Sequence, residues 1–230
     1  MRGASSGDID VRCRHVMDDL ADLFMTIQSP LSRHAQVARF ARRALLTIGA
    51  LVISCVLMAG GTYLFIQHGG NFHTVEPQVV YRSAQLNAQD LHQVVRAHGI
   101  KTVLSLRGQN TGEPWYDDEM RTVRADGIEH LDVSLSAYRD VTVEQMNEII
   151  KLIDQAPKPI LIHCESGADR TGLVSALYRL SHGQPLTVAE QELSPRYGHF
   201  TVFVPRSAAM DRSLAAYARS RAHLPASAPQ

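Results

Sequence analysis

Cysteine is scarce in this chain: 230 residues carry three, Cys13, Cys55 and Cys164. That excludes a disulfide-stapled small scaffold and a cysteine-rich zinc domain. Net charge is lacking too. Lys and Arg number 23, and so do Asp and Glu, so no global excess points to nucleic acid. Beyond residue 66 the balance is sixteen basic against eighteen acidic side chains, a mildly acidic body that argues against a polyanion-binding role. Internal repeats and low-complexity stretches are absent. Apolar residues are not: they make up 45% of the chain against 20% charged, enough to bury a core and exclude wholesale disorder.

Ala44 to Ile66 reads ALLTIGALVISCVLMAGGTYLFI, 23 residues without a charge. A membrane span needs about 20, and the internal glycines Gly49, Gly60 and Gly61 are tolerated there. A soluble core helix rarely stays apolar on every face for so long. Small residues around Met58–Gly61 give a cleavable-signal alternative, but the apolar run continues through Tyr63–Ile66, which favours an uncleaved anchor. Arg33, Arg39, Arg42 and Arg43 crowd one flank, and on the other the nearest is Arg82. The positive-inside rule then leaves the N-terminus cytoplasmic and the rest of the chain across the membrane, in a bacterium the periplasm. There Cys164 is the lone thiol, with no partner in its domain for an inactivating disulfide. Met25 is an alternative start, since the arginines and the span both follow it.

The expected organisation is a weakly ordered segment 1–43, a transmembrane helix 44–66, a linker 67–77, a catalytic domain 78–222 and a loose tail 223–230. Within the domain, strands are expected at 78–83, 101–107, 128–133 and 159–163. They alternate with a helix capped by Asn87 and stopped by Gly99, one over 115–126 closed by Gly127, one begun by Thr142, and one over 171–182. A Thr187–Glu190 capping box predicts a further helix, and a last one spans about 207–222. Such alternation predicts an α/β fold, a mostly parallel sheet flanked by helices.

The chemistry concentrates in HCESGADRTG, His163–Gly172. Cys164 follows an apolar strand, and Arg170 stands six residues later where a helix begins. Backbone N–H groups of Glu165, Ser166, Gly167, Ala168, Asp169 and Arg170 can wrap into a cradle for a tetrahedral oxyanion at that helix N-terminus. The same dipoles stabilise a thiolate, the nucleophilic form of Cys164. Arg170 offers a planar fork for two phosphoryl oxygens. Gly167 and Gly172 permit close backbone approach. Thr171 can place its hydroxyl near the Cys164 sulfur and ease thiolate departure.

This run matches HCxxGxxR[ST]G and so resembles the cysteine-based protein tyrosine and dual-specificity phosphatases. YRSAQL (81–86), GIKTVLSLRG (99–108) and ADRTGLVSALYRL (168–180) resemble a bacterial subgroup of small dual-specificity-like enzymes. The likeness covers about residues 78–200. It implies the cysteine phosphatase fold and two-step displacement: attack by Cys164, a phosphocysteine, then hydrolysis, with Arg170 and the loop amides holding the equatorial oxygens. It implies no metal and no organic cofactor. His163 matches the family's His before the nucleophile, which orients the loop, and a purely structural role is the alternative.

The family's general acid is usually an Asp on a separate loop before the Cys. Asp140, 24 positions before Cys164, is the best-placed match, and Asp132 falls within an expected strand. The other candidate is Asp169: GxDRTG loops resemble those of myotubularin-like lipid phosphatases and certain bacterial tyrosine phosphatases, where the loop Asp is implicated in proton transfer. Glu165 is expected to face solvent and makes the cradle less suited to a polyphosphoinositide. Arg82 and Arg107 are expected in salt bridges, the latter with Glu113 or Asp117, and substrate contact, with Arg107 pointing into the mouth of the site, is the alternative. Trp115 and Tyr116 are candidates for the pocket rim or the core, and Tyr197–His199 for a closing loop.

Four functional readings follow. The first is a membrane-anchored protein tyrosine or dual-specificity phosphatase. The second acts on a phosphorylated lipid or glycolipid headgroup. A non-catalytic phosphate-binding module and a sulfurtransferase-like domain are the others, and Arg170–Thr171–Gly172 fits phosphate chemistry better than sulfur transfer. Expected partners are the phosphorylated substrate and, through residues 44–66, the membrane, with no nucleic acid.

Overall fold

The computed structural model describes residues 17–18, 35–58, 60–61 and 69–222. The chain divides into two units, 1–60 and 61–230.

In the first unit α1 spans Ala35–Met58, long and apolar enough to cross a membrane. It begins nine residues before the expected span and so carries Arg39, Arg42 and Arg43 on its first turns. The expected span's residues 59 and 62–66 lie outside the described residues, as do the tail 223–230 and nearly all of 1–34.

The second unit is a five-stranded sheet ordered β1-β2-β5-β3-β4. The strands are β1 (His73–Glu76), β2 (Val80–Ser83), β3 (Thr102–Ser105), β4 (Glu129–Asp132) and β5 (Ile160–His163). All neighbours run parallel except β1, which pairs antiparallel with β2. Every residue of β2, β3 and β5 is buried, as both faces of a parallel sheet require when helices cover them. Side chains alternate between two cores. Val80, Leu104, Ile160 and Ile162 join one, together with residues of α4 (Val143–Gln155), α5 (Asp169–Ser181) and α7 (Ala208–Ala222). Tyr81, Val103 and Leu161 join the other with α2 (Ala88–His98), which packs on α3 (Pro114–Asp126).

The end signals act as their chemistry predicts. The Asn87 side chain accepts the Asp90 N–H, Thr142 accepts that of Gln145, and Gly99 and Gly127 take the left-handed conformation that ends α2 and α3. Helix α5 is buried along Thr171–Tyr178, because it runs through the middle of its layer between α4 and α7.

Three expectations are corrected. Residues 73–76 are not linker but the edge strand β1, joined to β2 through Gln78 at φ +62. Helix α5 starts at Asp169, two residues before the expected start. The Thr187–Glu190 capping box does not form. Pro185 caps a single turn, α6 (Leu186–Ala189), which passes into a short 3-10 turn over Glu190–Glu192.

Candidate active site

Strand β5 delivers Cys164 to the C-terminal edge of the sheet, and the chain loops through residues 165–168 into α5. Cys164 is buried at 1% exposure. The loop's carbonyls are held from outside. The N–H of Gln85 donates to Glu165 O (3.0 Å). Asn71 Nδ2 donates to Ser166 O (3.0 Å). Arg82 Nη2 donates to Gly167 O (2.6 Å). In a planar trans peptide the N–H points opposite the C=O. Pinning these three carbonyls outward therefore turns the N–H groups of Ser166, Gly167 and Ala168 the other way, into the loop's concavity. A nest of that kind binds anions.

Arg82 is the hub of the support. Fully buried, it also donates to the Glu192 backbone (2.9 Å) and carboxylate (2.5 Å) and lies 3.9 Å from the Tyr197 ring centroid. Burial pushes its guanidinium down from the ordinary value, and Glu192 opposes that. Arg179 shares Glu192 at 2.6 Å. The expected salt-bridge role of Arg82 is thus what the geometry shows. Gly167 sits at φ +73, where a Cβ would lie 2.7–2.8 Å from the backbone of Ser83 and Ala84. Gly172 meets the Glu192 carbonyl just as closely.

Arg170 reaches the carbonyls of Leu106 and Leu135 only at 3.4 and 3.5 Å. Its buried Nε has no acceptor among the described residues. Glu165 is largely exposed, 3.8 Å from Arg170 Nη2. The fork thus keeps donors free for an anion's oxygens. The Thr171 hydroxyl is buried and likewise without a partner.

Behind Cys164 lies a buried polar chain. His163 Nδ1 is 3.3 Å from the Cys164 carbonyl, and its Nε2 is 3.3 Å from Glu119. Glu119 also meets His130 at 2.8 Å and receives a hydrogen bond from Gln85. Burial alone would raise the Glu119 carboxyl, but His163 and His130 outweigh it and hold it far below the ordinary carboxylate value. Sequence reasoning missed Glu119, although a signal existed: with Tyr116 and Val123 it forms the buried stripe of α3, and a carboxylate there needs a partner.

The candidate acids are placed apart from each other. Asp140 is exposed and paired with Arg212 of α7 at 2.8 Å. Asp132 accepts from the Tyr116 hydroxyl (2.7 Å). Asp169, first residue of α5, lies 2.6 Å from His199 Nδ1, and His199 Nε2 lies 3.0 Å from Asp211 of α7. Burial would lower the His199 imidazole, but the two carboxylates raise it above its ordinary value. Arg107 pairs with neither Glu113 nor Asp117. It donates to Gln85 (3.1 Å) and stacks 3.5 Å from the Trp115 ring centroid, which leaves Trp115 half-buried beneath it and Tyr116 in the core. No cluster of metal-ligating side chains occurs among the described residues.

Fold and site together define an α/β protein with a thiol at the base of a loop whose carbonyls are clamped outward. The chain belongs to the tyrosine phosphatase family, whose model matches residues 66–192. Among solved structures it is similar to TpbA of P. aeruginosa, at 24% identity over 65% of this chain and 92% of that one, with a TM-score of 0.49. It is also similar to a mutant form of Tk-PTP, at 22% identity over 66% and 97%, with a TM-score of 0.50. A third is the core catalytic domain of the PP-IP phosphatase SIW14 from S. cerevisiae, at 20% identity over 67% and 94%, with a TM-score of 0.50. At such identities the last two establish a shared fold. None of the curated proteins matches the chain.

Proposed function

We propose that the chain hydrolyses phosphomonoesters through a phosphocysteine on Cys164. The observation that carries this reading is the outward clamping of the Glu165, Ser166 and Gly167 carbonyls around a buried thiol. The Cys164 thiolate attacks phosphorus as the ester P–O bond breaks. Arg170 and the loop amides take the charge on the equatorial oxygens. The leaving oxygen takes a proton from the Asp169–His199 pair. Asp169 opens the helix that directly follows the loop, whereas Asp140 is engaged by Arg212 on the exterior. Water then attacks phosphorus, the S–P bond breaks, and inorganic phosphate and the thiolate are released, with Thr171 the hydroxyl for that sulfur.

The favoured substrate is a phosphorylated tyrosine or serine side chain, and the second reading is a phosphorylated lipid or glycolipid headgroup at a membrane. That second reading draws on α1, which we take as a single-pass anchor with the N-terminus cytoplasmic and the catalytic domain extracytoplasmic. The test is phosphate release by the full chain from a phosphotyrosine peptide and from a phosphorylated headgroup. Cys164→Ser is expected to abolish both. Asp169→Asn is expected to slow alkyl esters far more than activated aryl esters, since only poor leaving groups need the proton. Undiminished turnover by Cys164→Ser would overturn the mechanism. A wild-type chain that binds phosphate but releases none would make it a binding module.

A further inference from the structure

The segment after the Glu190–Glu192 turn has an inner and an outer end. At the inner end Tyr197 O accepts from Asn71, the residue that also holds Ser166, and His199 is bonded to Asp169. At the outer end Phe200–Val204 folds into a tight turn, with the N–H groups of Phe203 and Val204 donating to Phe200 O. Its tip is bare: Val202 is 86% exposed, Phe203 76% and Val204 43%. Among the described residues of this unit it is the one run of consecutive exposed large apolar side chains. Two exposed arginines, Arg196 and Arg206, flank it, and no acidic residue lies between them. An apolar wedge with a basic collar suits an anionic lipid interface.

The chain enters the domain beside the inner end of this segment. Gly70 O accepts from Ala84, and Asn71 touches both the catalytic loop and Tyr197.

We propose that the Phe200–Val204 tip is a lipid-contacting element that dips into the interface of the bilayer anchoring the chain. The proposal rests on the anchor reading above. Its consequence is that the cradle, bonded to the same segment through Asp169 and His199, opens close to the lipid surface.

The full chain is reconstituted into vesicles of phosphatidylethanolamine and phosphatidylglycerol, with and without brominated acyl chains. Trp115 is the single native tryptophan. Val202→Trp adds a reporter at the tip, and Arg96→Trp adds one at the exposed last turn of α2. Unchanged aryl phosphate turnover shows that both variants fold. Blue-shifted emission from Val202→Trp that loses most of its added intensity to bromolipid, with the Arg96→Trp signal unaffected, is the expected result. No quenching at either position, in protein that floats with vesicles and resists alkaline carbonate, overturns the tip and leaves the anchor standing. Extraction by carbonate overturns the anchor, and the tip with it. Blue-shifted but unquenched emission together with self-association would assign the tip to a second copy of the chain and equally overturn the proposal.

Discussion

Glu119 is a carboxylate with 3% exposure, held between two imidazoles that are themselves buried. Desolvation of such a group is tolerable only because His130, His163 and the Gln85 amide compensate it. Since His163 also sits against the Cys164 carbonyl, this chain sets the ring behind the nucleophile. A pH dependence follows. The folded-state value lies below the ordinary 4.5, so between the two the unfolded chain binds the extra proton. The contribution to stability is fully present above about 4.5 and lost as pH falls through the depressed folded value. Glu119→Gln is expected to lower the thermal midpoint at neutral pH and to flatten its decline on acidification. Midpoints measured from pH 7 down to pH 3 check this. Parallel curves for the two proteins would mean that Glu119 does not carry the acid sensitivity.

The catalytic loop works as an element because other elements grip its backbone, and Gly167 is where the grip is tightest. A methyl group there meets backbone atoms of Ser83 and Ala84, which cannot swing aside, at a φ that L residues rarely adopt. Gly167→Ala is expected to shift the loop, at a cost of roughly 1–3 kcal/mol, and to remove most of the turnover while the sheet remains. A near-native circular dichroism spectrum beside a collapsed kcat is the expected pair of measurements, and wild-type kcat would contradict the clamped-loop geometry. The loop and its glycines were legible in the sequence because their signals are local, as were the caps at Asn87, Gly99, Thr142 and Gly127. The clamps were not. Arg82 meets Gly167 across 85 residues and Glu192 across 110, and Asn71 meets Tyr197 across 126. Strand β1 was hidden for a different reason. Its hairpin turns on Gln78 at positive φ, where the expected signal is glycine or asparagine. The capping box at Thr187 was outcompeted by Pro185, whose fixed φ starts the turn earlier.

At the scale of the whole molecule, α1 poses a length problem that charge resolves. From Ala44 to Met58 the helix has fifteen uncharged residues, a rise of about 22 Å, short of a hydrocarbon core of about 30 Å. Arg39, Arg42 and Arg43 belong to the same helix, so on the anchor reading proposed above they lie at or just inside one interface. There their long stems can lie in the apolar region while the guanidinium groups reach the headgroups. On that same reading, three arginines at one boundary, with Arg82 the nearest on the far side, favour a cytoplasmic N-terminus. The prediction is that a C-terminal reporter enzyme active only in an oxidising compartment is active on the wild-type chain. Changing Arg39, Arg42 and Arg43 to Glu removes the retention signal and is expected to lower that activity several-fold, with a matching rise in protease-protected, inward-facing domain. The same variant separates topology from catalysis: once solubilised in detergent, it should hydrolyse an aryl phosphate at the wild-type rate, because none of the three arginines belongs to the catalytic unit. Reporter activity that is absent from the wild type and present in the Glu variant would reverse the orientation and place Cys164 in the reducing compartment.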